Sequence, residues 1–317
     1  MTADHARTPE LTRPRRLVPG DRVAVVAPSG PVPEELLGAG LDVLRGWGLD
    51  PVVAPHVLAG HKELEYLAAS DRQRADDLQR AWCDPTVAGV LCARGGYGAQ
   101  RMVDLLDWDA LRAAGPKVFV GYSDITSLHE AFAVRLGLAT LHGPMVAVPD
   151  FTGSQRAREH LKATLFTPEA TQTVTGLPGA GPLVPGRASG VTFGGCLCML
   201  AADLATPTGR RSARGGLLCV EDIGEEPYRL DRMLTQLLRS GLLDGVAGVL
   251  LGSWQDCGPY EEVRATLADL LAPLGVPVAE HFGFGHCDGA LTLPLGVRAE
   301  LDADAGELRL LRPALTD

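Results

Sequence analysis

The stretch VFVGYSDITSLHEAF (118–132) runs from an apolar strand into a helical pattern through one sharp turn. The apolar run ends at Gly121, and the helical stripe that follows consists of Ile125, Leu128, Phe132 and Leu136. Ser123 lies in the turn, where a serine is either a helix N-cap or a nucleophile exposed on a strand-to-helix elbow. The segment lacks the second glycine of a GxSxG elbow, so taken alone it leaves both interpretations open.

Short apolar strands alternate with helical patterns on the N-terminal side of this turn. The predicted strands are 22–30, 51–55, 86–96 and 117–124, and the predicted helices are 33–48 and a charged segment around 69–82. Continuous apolar strands separated by helices are typical of a parallel sheet covered on both faces. The N-terminal half is therefore predicted to be an α/β domain with an open parallel sheet, similar to a Rossmann domain.

A second group of strands follows in the C-terminal half. These strands are predicted at 189–195, 215–222, 245–254 and 276–285, with a terminal hairpin of 296–304 and 307–311 joined at Ala305-Gly306. One helix is well signalled by Pro227 near its start, Gly241 at its end and an apolar stripe of Leu230, Leu234, Leu237 and Leu238. We expect a smaller C-terminal α/β domain here.

The division of the chain follows from these patterns. Residues 1–16 carry charges throughout and are expected to form a mobile tail, followed by the N-terminal domain (17–166) with the candidate nucleophile. Residues 167–187 are rich in Gly, Pro and Thr, as in a linker. The C-terminal domain (188–317) carries the candidate acid and histidine, which predicts an active site in the cleft between the domains.

Composition and charge exclude several classes of function. The 317 residues contain 29 basic and 39 acidic side chains, a formal net charge of -10, which argues against nucleic-acid and membrane-surface binding. The N-terminus has no apolar signal segment, and the uncharged run 188–202 is shorter than the ~20 residues that span a bilayer. The seven cysteines lie mostly in apolar runs, so we expect a soluble protein of the reducing cytoplasm.

Ligands of open α/β sheets bind at the carboxyl ends of strands, so the residues after each strand carry the functional information. The segment ARGGYGAQR (93–101) follows one strand and has three glycines within four positions. Glycines permit a close approach of the backbone to a ligand. The loop can therefore hold an oxyanion or substrate, cradle a phosphate, or form a plain tight turn.

Two further strand ends carry an acid and a histidine. Glu221 and Asp222 close a buried strand, where a carboxylate either orients a histidine, caps a loop or pairs with an arginine. His286 lies in a Gly-rich turn, and the neighbouring His281, Cys287 and Asp288 match no established metal-ligand spacing. A serine, an acid and a histidine thus occur at strand ends in an order known to build one catalytic geometry on unrelated folds.

The chain resembles the LD-carboxypeptidases, the serine peptidases that include muramoyl-tetrapeptide carboxypeptidase and the microcin C immunity peptidases. The motifs that carry the resemblance are VAVVAPSGP (23–31), ARGGYG (93–98), GYSDIT (121–126), LHGPM (141–145), FGG (193–195), VEDIGEEPYRLDRMLTQL (220–237) and GHCDGALTLPLG (285–296). One departure is visible, because the family usually reads GGNL where this chain has Cys196 in place of the asparagine.

The resemblance implies a catalytic triad of Ser123, Glu221 and His286 and a reaction without metal or cofactor. It implies oxyanion donors at the backbone amides of Gly95, with Gly96 as an alternative, and Asp124. The implied substrate is murein tetrapeptide, cleaved to release its terminal D-alanine during peptidoglycan recycling, and the implied assembly is a homodimer.

Because murein tetrapeptide is rich in carboxylates and the protein is acidic, substrate binding requires local cationic groups. The candidates for substrate binding are Arg94, Gly96, Tyr97, Arg229 and Arg232.

Three alternatives remain open at the level of sequence. Within the family, the substrate can be a peptide-nucleotide antibiotic of the microcin C type. A non-enzymatic module that binds a sugar or nucleotide would use the glycine loop and the cleft without a nucleophile. A cysteine amidase would use Cys92 or Cys287 in place of Ser123.

Overall fold

The computed structural model describes residues 7–317, which form two β-sheets with helices packed on them. The strands are β1 (Arg22–Val26), β2 (Asp50–Val53), β3 (Val87–Cys92), β4 (Val118–Gly121), β5 (Thr140–His142), β6 (Thr173–Thr175), β7 (Gly181–Val184), β8 (Arg187–Cys196), β9 (Gly216–Ile223), β10 (Gly248–Gln255), β11 (Val278–Glu280), β12 (Leu293–Leu295), β13 (Arg298–Asp302) and β14 (Glu307–Leu310). The helices are α1 (Glu34–Gly46), α2 (Asp71–Cys83), α3 (Ala99–Met102), α4 (Trp108–Ala114), α5 (Thr126–Leu136), α6 (Pro149–Gly153), α7 (Gln155–Phe166), α8 (Leu197–Ala202), α9 (Pro227–Arg239) and α10 (Tyr260–Leu271).

The first sheet has six strands in the order β12-β5-β4-β3-β1-β2. Strands β1 to β5 run parallel, and β12 joins the edge antiparallel to β5. The prediction of an open parallel α/β sheet is confirmed. Because parallel strands end at the same edge, the segments after β1, β3 and β4 meet there.

The second sheet has eight strands in the order β6-β14-β13-β8-β9-β10-β11-β7. Its centre, β8 to β11, is parallel, so the ends of β8, β9 and β11 lie at one edge. Strands β13, β14 and β6 extend one side and β7 the other, all antiparallel to their neighbours. The predicted terminal hairpin is the β13–β14 pair, in which Asp302 faces Glu307.

Helix α5, which follows the turn at Ser123, packs against both halves of the molecule. Its contacts include β5 of the first sheet and β8 of the second. The predicted residues Ile125, Leu128 and Phe132 are buried, but so are polar side chains on its other faces. One of these, Glu130, forms an ion pair of 2.9 Å with Arg210. Residues 126–132 are all buried, so this part of α5 shows no single apolar stripe, and burial of its polar groups requires such partners.

The prediction that residues 167–187 form an unpacked linker is wrong. It contains β6 and β7, which form the two outer strands of the second sheet. Each strand is held by a partner that is distant in sequence, since β6 pairs with β14 and β7 with β11. The Gly, Pro and Thr content of these residues therefore reflects edge strands and their turns.

The prediction of a mobile tail over residues 1–16 is also wrong for residues 7–16, which the structure describes. The backbone N–H of Thr8 donates to Arg214 O at 2.8 Å, and that of Leu11 donates to Gly296 O at 2.9 Å. Thr12 forms a parallel bridge with Leu138. Residues 7–16 thus pack on the folded chain, because these hydrogen bonds offset the cost of ordering them. The part of this prediction that concerns residues 1–6 lies outside the described residues.

Candidate active site

The turn after β4 holds Ser123 in an uncommon backbone conformation. Its φ is 66°, in the left-handed region that a non-glycine residue seldom adopts. The carbonyl of Gly121, at the end of the strand, accepts a hydrogen bond of 2.9 Å from Nε2 of the buried His129. Neither the short 3₁₀ turn Ser123–Ile125 nor α5 has a side-chain N-cap. Ser123 is therefore presented on a strained elbow and does not serve as a helix cap.

Asp124 connects three strand ends. Its Oδ2 accepts hydrogen bonds from Ser29 Oγ at 2.5 Å and from the backbone N–H of Ala99 at 2.8 Å. Ser29 follows β1, and Ala99 follows the glycine loop after β3. The side chain of Asp124 thus fixes the elbow against its two neighbours, which explains why this position carries an acid.

The glycine loop lies directly against Ser123. A Cβ added at Gly95 would lie 2.8 Å from Ser123 Cβ and 3.0 Å from its Oγ, so a side chain at this position collides with the elbow. Gly95 O accepts a hydrogen bond of 3.0 Å from the N–H of Gly30, and Gly96 has a φ of 113°. The loop therefore approaches the serine as closely as only glycine permits.

Glu221 and His286 meet across the second sheet. Glu221 lies in the buried part of β9, two residues before the strand ends, and His286 follows β11 in a loop. Their side chains are joined by a hydrogen bond of 2.7 Å between His286 Nδ1 and Glu221 Oε2, and His286 N–H donates to the same oxygen at 3.2 Å. Gly285 makes this possible, since a Cβ there would lie 2.3 Å from Oε2.

This contact sets the electrostatics of the pair. Burial alone raises the pKa of Glu221, but the charge of His286 and hydrogen bonding outweigh burial and lower the pKa to about 2. For His286, burial alone lowers the pKa, but the charge and hydrogen bond of Glu221 outweigh it and raise the pKa above 6.5. With Nδ1–H directed at the carboxylate, Nε2 of the neutral ring is left to accept a proton.

The imidazole of His286 is also close to the serine elbow. Its ring centroid lies 4.8 Å from that of Tyr122, the residue directly before Ser123. The structure thus brings together a partly accessible serine on a strained turn, a glycine loop and a histidine oriented by a buried carboxylate. Such an arrangement is suited to nucleophilic attack on a carbonyl carbon.

The four side chains predicted to bind substrate have other partners. Arg94 Nη1 donates to Pro31 O at 2.9 Å, and Tyr97 packs edge-on against Tyr66 with ring centroids 5.5 Å apart. Arg229 forms an ion pair with Glu225, and Arg232 lies over the ring of Tyr228. Among residues 7–317, neither Arg229 nor Arg232 has a hydrogen bond or ion pair to Ser123, Glu221 or His286.

Two residues beside this site received no role from the sequence. His142, in the quoted motif LHGPM, is buried with Nε2 at 3.7 Å from Glu221 Oε1, too far for a hydrogen bond. Arg156 lies against the His286 loop, since its Cδ would be 3.2 Å from a Cβ at Gly289. Arg156 is an exposed residue and forms no ion pair within residues 7–317. The motif could have revealed His142, whereas Arg156 has no local signal.

A cavity of about 260 Å³ opens beside the same loop. Its lining includes Trp254, His281 and Cys287. The indole N–H of Trp254 is buried and has no hydrogen-bond partner among residues 7–317, so it can donate to a ligand. The lining is mixed, because Leu177 lies there together with the polar residues Ser253, Gln255 and Asp256.

The two thiols considered as nucleophiles are poorly suited to that role. Cys92 is fully buried, and burial raises its pKa well above the ordinary value. Burial likewise raises the pKa of Cys287 to about 12, with the charge of Glu221 acting in the same direction. Since the thiolate is the reactive form, neither environment activates a cysteine.

This fold and site correspond to a known family of hydrolases. The family model of the LD-carboxypeptidase N-terminal domain matches residues 23–143, and that of the LD-carboxypeptidase C-terminal domain matches residues 189–301. The chain therefore belongs to the LD-carboxypeptidase family. The predicted resemblance is confirmed, and the protein is a hydrolase of the carboxypeptidase class.

Individual relatives agree with this assignment. A Streptomyces coelicolor protein named as a proposed carboxypeptidase is 72% identical over 306 residues, which cover 96% of this chain and 98% of its own. The murein tetrapeptide carboxypeptidase of Pseudomonas aeruginosa is 33% identical, over 89% of this chain and 94% of its own.

Solved structures show the same architecture. The muramoyltetrapeptide carboxypeptidase from Oxalobacter formigenes has a TM-score of 0.77 at 33% identity, covering 91% of this chain and 97% of its own. The microcin C7 self-immunity protein MccF has a TM-score of 0.84 at 23% identity, covering 97% of this chain and all of its own, a likeness of fold alone. Among residues 7–317, no helix combines the length and apolar character that crossing a membrane requires.

Proposed function

We propose that this protein is a serine-type LD-carboxypeptidase that releases the terminal D-alanine of murein tetrapeptide. The bond cleaved joins the L-centre of a dibasic residue to that D-alanine. The single observation that carries the proposal is the 2.7 Å contact between His286 and Glu221 beside the Ser123 elbow. The name of the Pseudomonas aeruginosa relative supports the choice of substrate.

In the proposed reaction, Ser123 Oγ attacks the scissile carbonyl carbon while His286 Nε2 takes the hydroxyl proton. Glu221 holds the ring in the tautomer that this step requires and stabilises the imidazolium that forms. The imidazolium then gives its proton to the departing amine of D-alanine, leaving an acyl-enzyme. A water molecule, deprotonated by the same ring, releases the shortened peptide and restores the hydroxyl.

The tetrahedral intermediate carries an oxyanion that needs hydrogen-bond donors. We assign the backbone N–H groups of Gly95 and Asp124 to this role, with Gly96 as an alternative to Gly95. The close approach of Gly95 to Ser123 supports the assignment. Removing one such donor typically costs about 3–4 kcal/mol of transition-state stabilisation.

Recognition of the carboxylates of the substrate is assigned to Arg156. Arg156 is exposed, its Cδ lies against the His286 loop at Gly289, and its guanidinium has no acidic partner among residues 7–317. Arg229 is occupied by Glu225, and Arg232 by the ring of Tyr228, so both are less suited to this role. A planar guanidinium binds a carboxylate through two parallel hydrogen bonds.

We further propose that the enzyme acts in the cytoplasm, in peptidoglycan recycling, as a homodimer. All seven cysteines are free thiols, which suits a reducing compartment. The homodimer rests on family resemblance, and analytical ultracentrifugation measures it directly.

The test compares release of D-alanine from murein tetrapeptide by the wild type and by Ser123→Ala. We expect the variant to lose about 10⁴-fold or more in kcat with little change in KM. Ser127→Ala is the matched control, because Ser127 is a buried serine in the next helix whose hydroxyl has no hydrogen-bond partner among residues 7–317. Its activity should remain close to that of the wild type.

A peptide-nucleotide conjugate of the microcin type is assayed in parallel. Turnover of this conjugate without release of D-alanine would favour the other branch of the family. Unchanged hydrolysis of the tetrapeptide by Ser123→Ala would exclude the serine mechanism.

A further inference from the structure

The departure from the family motif at Cys196 creates a cluster of three metal-ligating side chains. Cys196 is the last residue of β8, Cys198 lies in the first turn of α8, and Asp222 follows Glu221 on β9. Cys196 Sγ lies 3.4 Å from Cys198 Sγ and 3.3 Å from Asp222 Oδ1. All three ligand atoms lie within 4.8 Å of one another.

The cluster is buried and lacks a cationic partner. Cys196 is 3% exposed and Asp222 is 1% exposed, whereas Cys198 is partly accessible to solvent. No Lys, Arg or His side chain of residues 7–317 forms an ion pair with Asp222. The carboxylate instead accepts backbone hydrogen bonds of 2.8 Å from Cys198 and Ile223. Buried charges are usually paired or bound to metals, so these three side chains are suited to bind a cation.

We propose that Cys196, Cys198 and Asp222 bind a thiophilic divalent cation of the Zn²⁺ class. A tetrahedral Zn²⁺ with bonds of about 2.3 Å to sulfur separates two thiolates by roughly 3.8 Å, so the pair has to open only slightly. Two sulfurs and one oxygen leave a fourth position for water, on the accessible side of Cys198. The amide of the family asparagine cannot supply the second thiolate, so the site belongs to this chain and to relatives with the same two cysteines.

This site is separate from the proposed serine reaction, which uses no metal. The cluster nevertheless lies close to the proposed triad, because Cys196 on β8 is paired with Glu221 on β9.

The test titrates freshly reduced full-length protein with Co²⁺ and then displaces it with Zn²⁺. Thiolate ligation of Co²⁺ gives a charge-transfer band in the near ultraviolet, and we expect a band of one-to-one stoichiometry. Cys198→Ser and Cys196→Asn, the latter restoring the family residue, should each weaken Zn²⁺ binding by at least about 100-fold, the upper end of the loss on removing a group that only supports a ligand. Cys83→Ser is the matched control, because Cys83 is an exposed thiol outside the cluster.

Circular dichroism and thermal unfolding establish that each variant is folded before its affinity is measured. A normal band in Cys83→Ser together with its loss in the two cluster variants supports the proposal. Absence of the band in reduced wild type, or its survival in folded Cys198→Ser and Cys196→Asn, would overturn it. Either of these results would mean that the cluster is a hydrogen-bonded pair of thiols on a carboxylate.

Discussion

His286 and Glu221 are joined twice through one oxygen atom. Oε2 of the carboxylate accepts both the backbone N–H of His286, at 3.2 Å, and its ring Nδ1–H, at 2.7 Å. The ring and its own backbone are therefore positioned by the same buried group. This double contact determines the direction of Nε2 and leads to the first prediction.

Glu221→Gln is expected to move the pH dependence of kcat/KM. In the proposed mechanism the base is the neutral imidazole, so wild-type activity is expected to rise with pH through the His286 pKa, which the Glu221 carboxylate raises above 6.5. Without the carboxylate charge this pKa falls, and the acid limb shifts to lower pH, although Asp222 and Asp150 still raise the pKa. Maximal kcat should fall by about 10³–10⁴-fold, because the amide no longer selects the tautomer.

The control for this experiment is Glu225→Gln, which changes the same residue type in the adjacent loop, where the partner is Arg229. Its acid limb should coincide with that of the wild type. An acid limb that stays unmoved in Glu221→Gln would contradict the assigned orientation of His286.

Gly95→Ala is expected to lower kcat by about 10²–10³-fold, comparable to loss of one oxyanion donor. The new methyl group would lie 2.8 Å from Ser123 Cβ, so the loop has to move away from the elbow. Gly38→Ala is the control, since nothing lies within 4 Å of a Cβ there and the residue is inside α1. That variant should be as active as the wild type and more stable by about 0.5–1 kcal/mol. Equal activity of both variants would argue against the role of Gly95.

Gly285→Ala is expected to abolish most activity while the protein stays folded. A Cβ at this position would lie 2.3 Å from Glu221 Oε2 and would separate the carboxylate from His286. Gly275→Ala separates this effect from backbone strain, because Gly275 also has a positive φ but has open space around it. Steady-state kinetics and thermal unfolding of both variants decide the matter. A similar loss of activity in Gly275→Ala would assign the effect to strain.

Arg156→Gln is expected to raise KM for murein tetrapeptide by about 10- to 100-fold with little change in kcat, the size expected for one charge-assisted hydrogen bond. Arg229→Gln and Arg232→Gln serve as comparisons, because those side chains already have partners within the protein. Both should show KM values within about 3-fold of the wild type, as for exposed ion pairs. A larger effect at Arg229 or Arg232 than at Arg156 would restore the assignment made from the sequence.

Local patterns in the sequence identified most elements near the site. The apolar run before Gly121 is β4, and the predicted helix after Pro227 is α9, whose Leu230, Leu234 and Leu237 are buried. Such elements are predictable because a buried strand or an amphipathic helix imposes its period on consecutive residues.

Local sequence patterns do not predict the strands that depend on partners distant in sequence. Strand β12 contains Pro294 and exists because it pairs with β5, more than a hundred residues earlier. The composition of β6 and β7 predicts a linker, whereas both are short edge strands whose partners are β14 and β11. Their strand conformation comes from pairing and not from their own composition.

The chemical groups and the turns that hold them can be read from local sequence: an elbow with a serine, a loop of glycines, and a carboxylate and a histidine at strand ends. Which of these groups meet was set by the fold. It joined Glu221 to His286 across 65 residues and placed Gly95 against Ser123. It also gathered Cys196, Cys198 and Asp222 into one cluster. Contacts of this kind follow from the order and register of strands in two packed sheets, which no local period encodes.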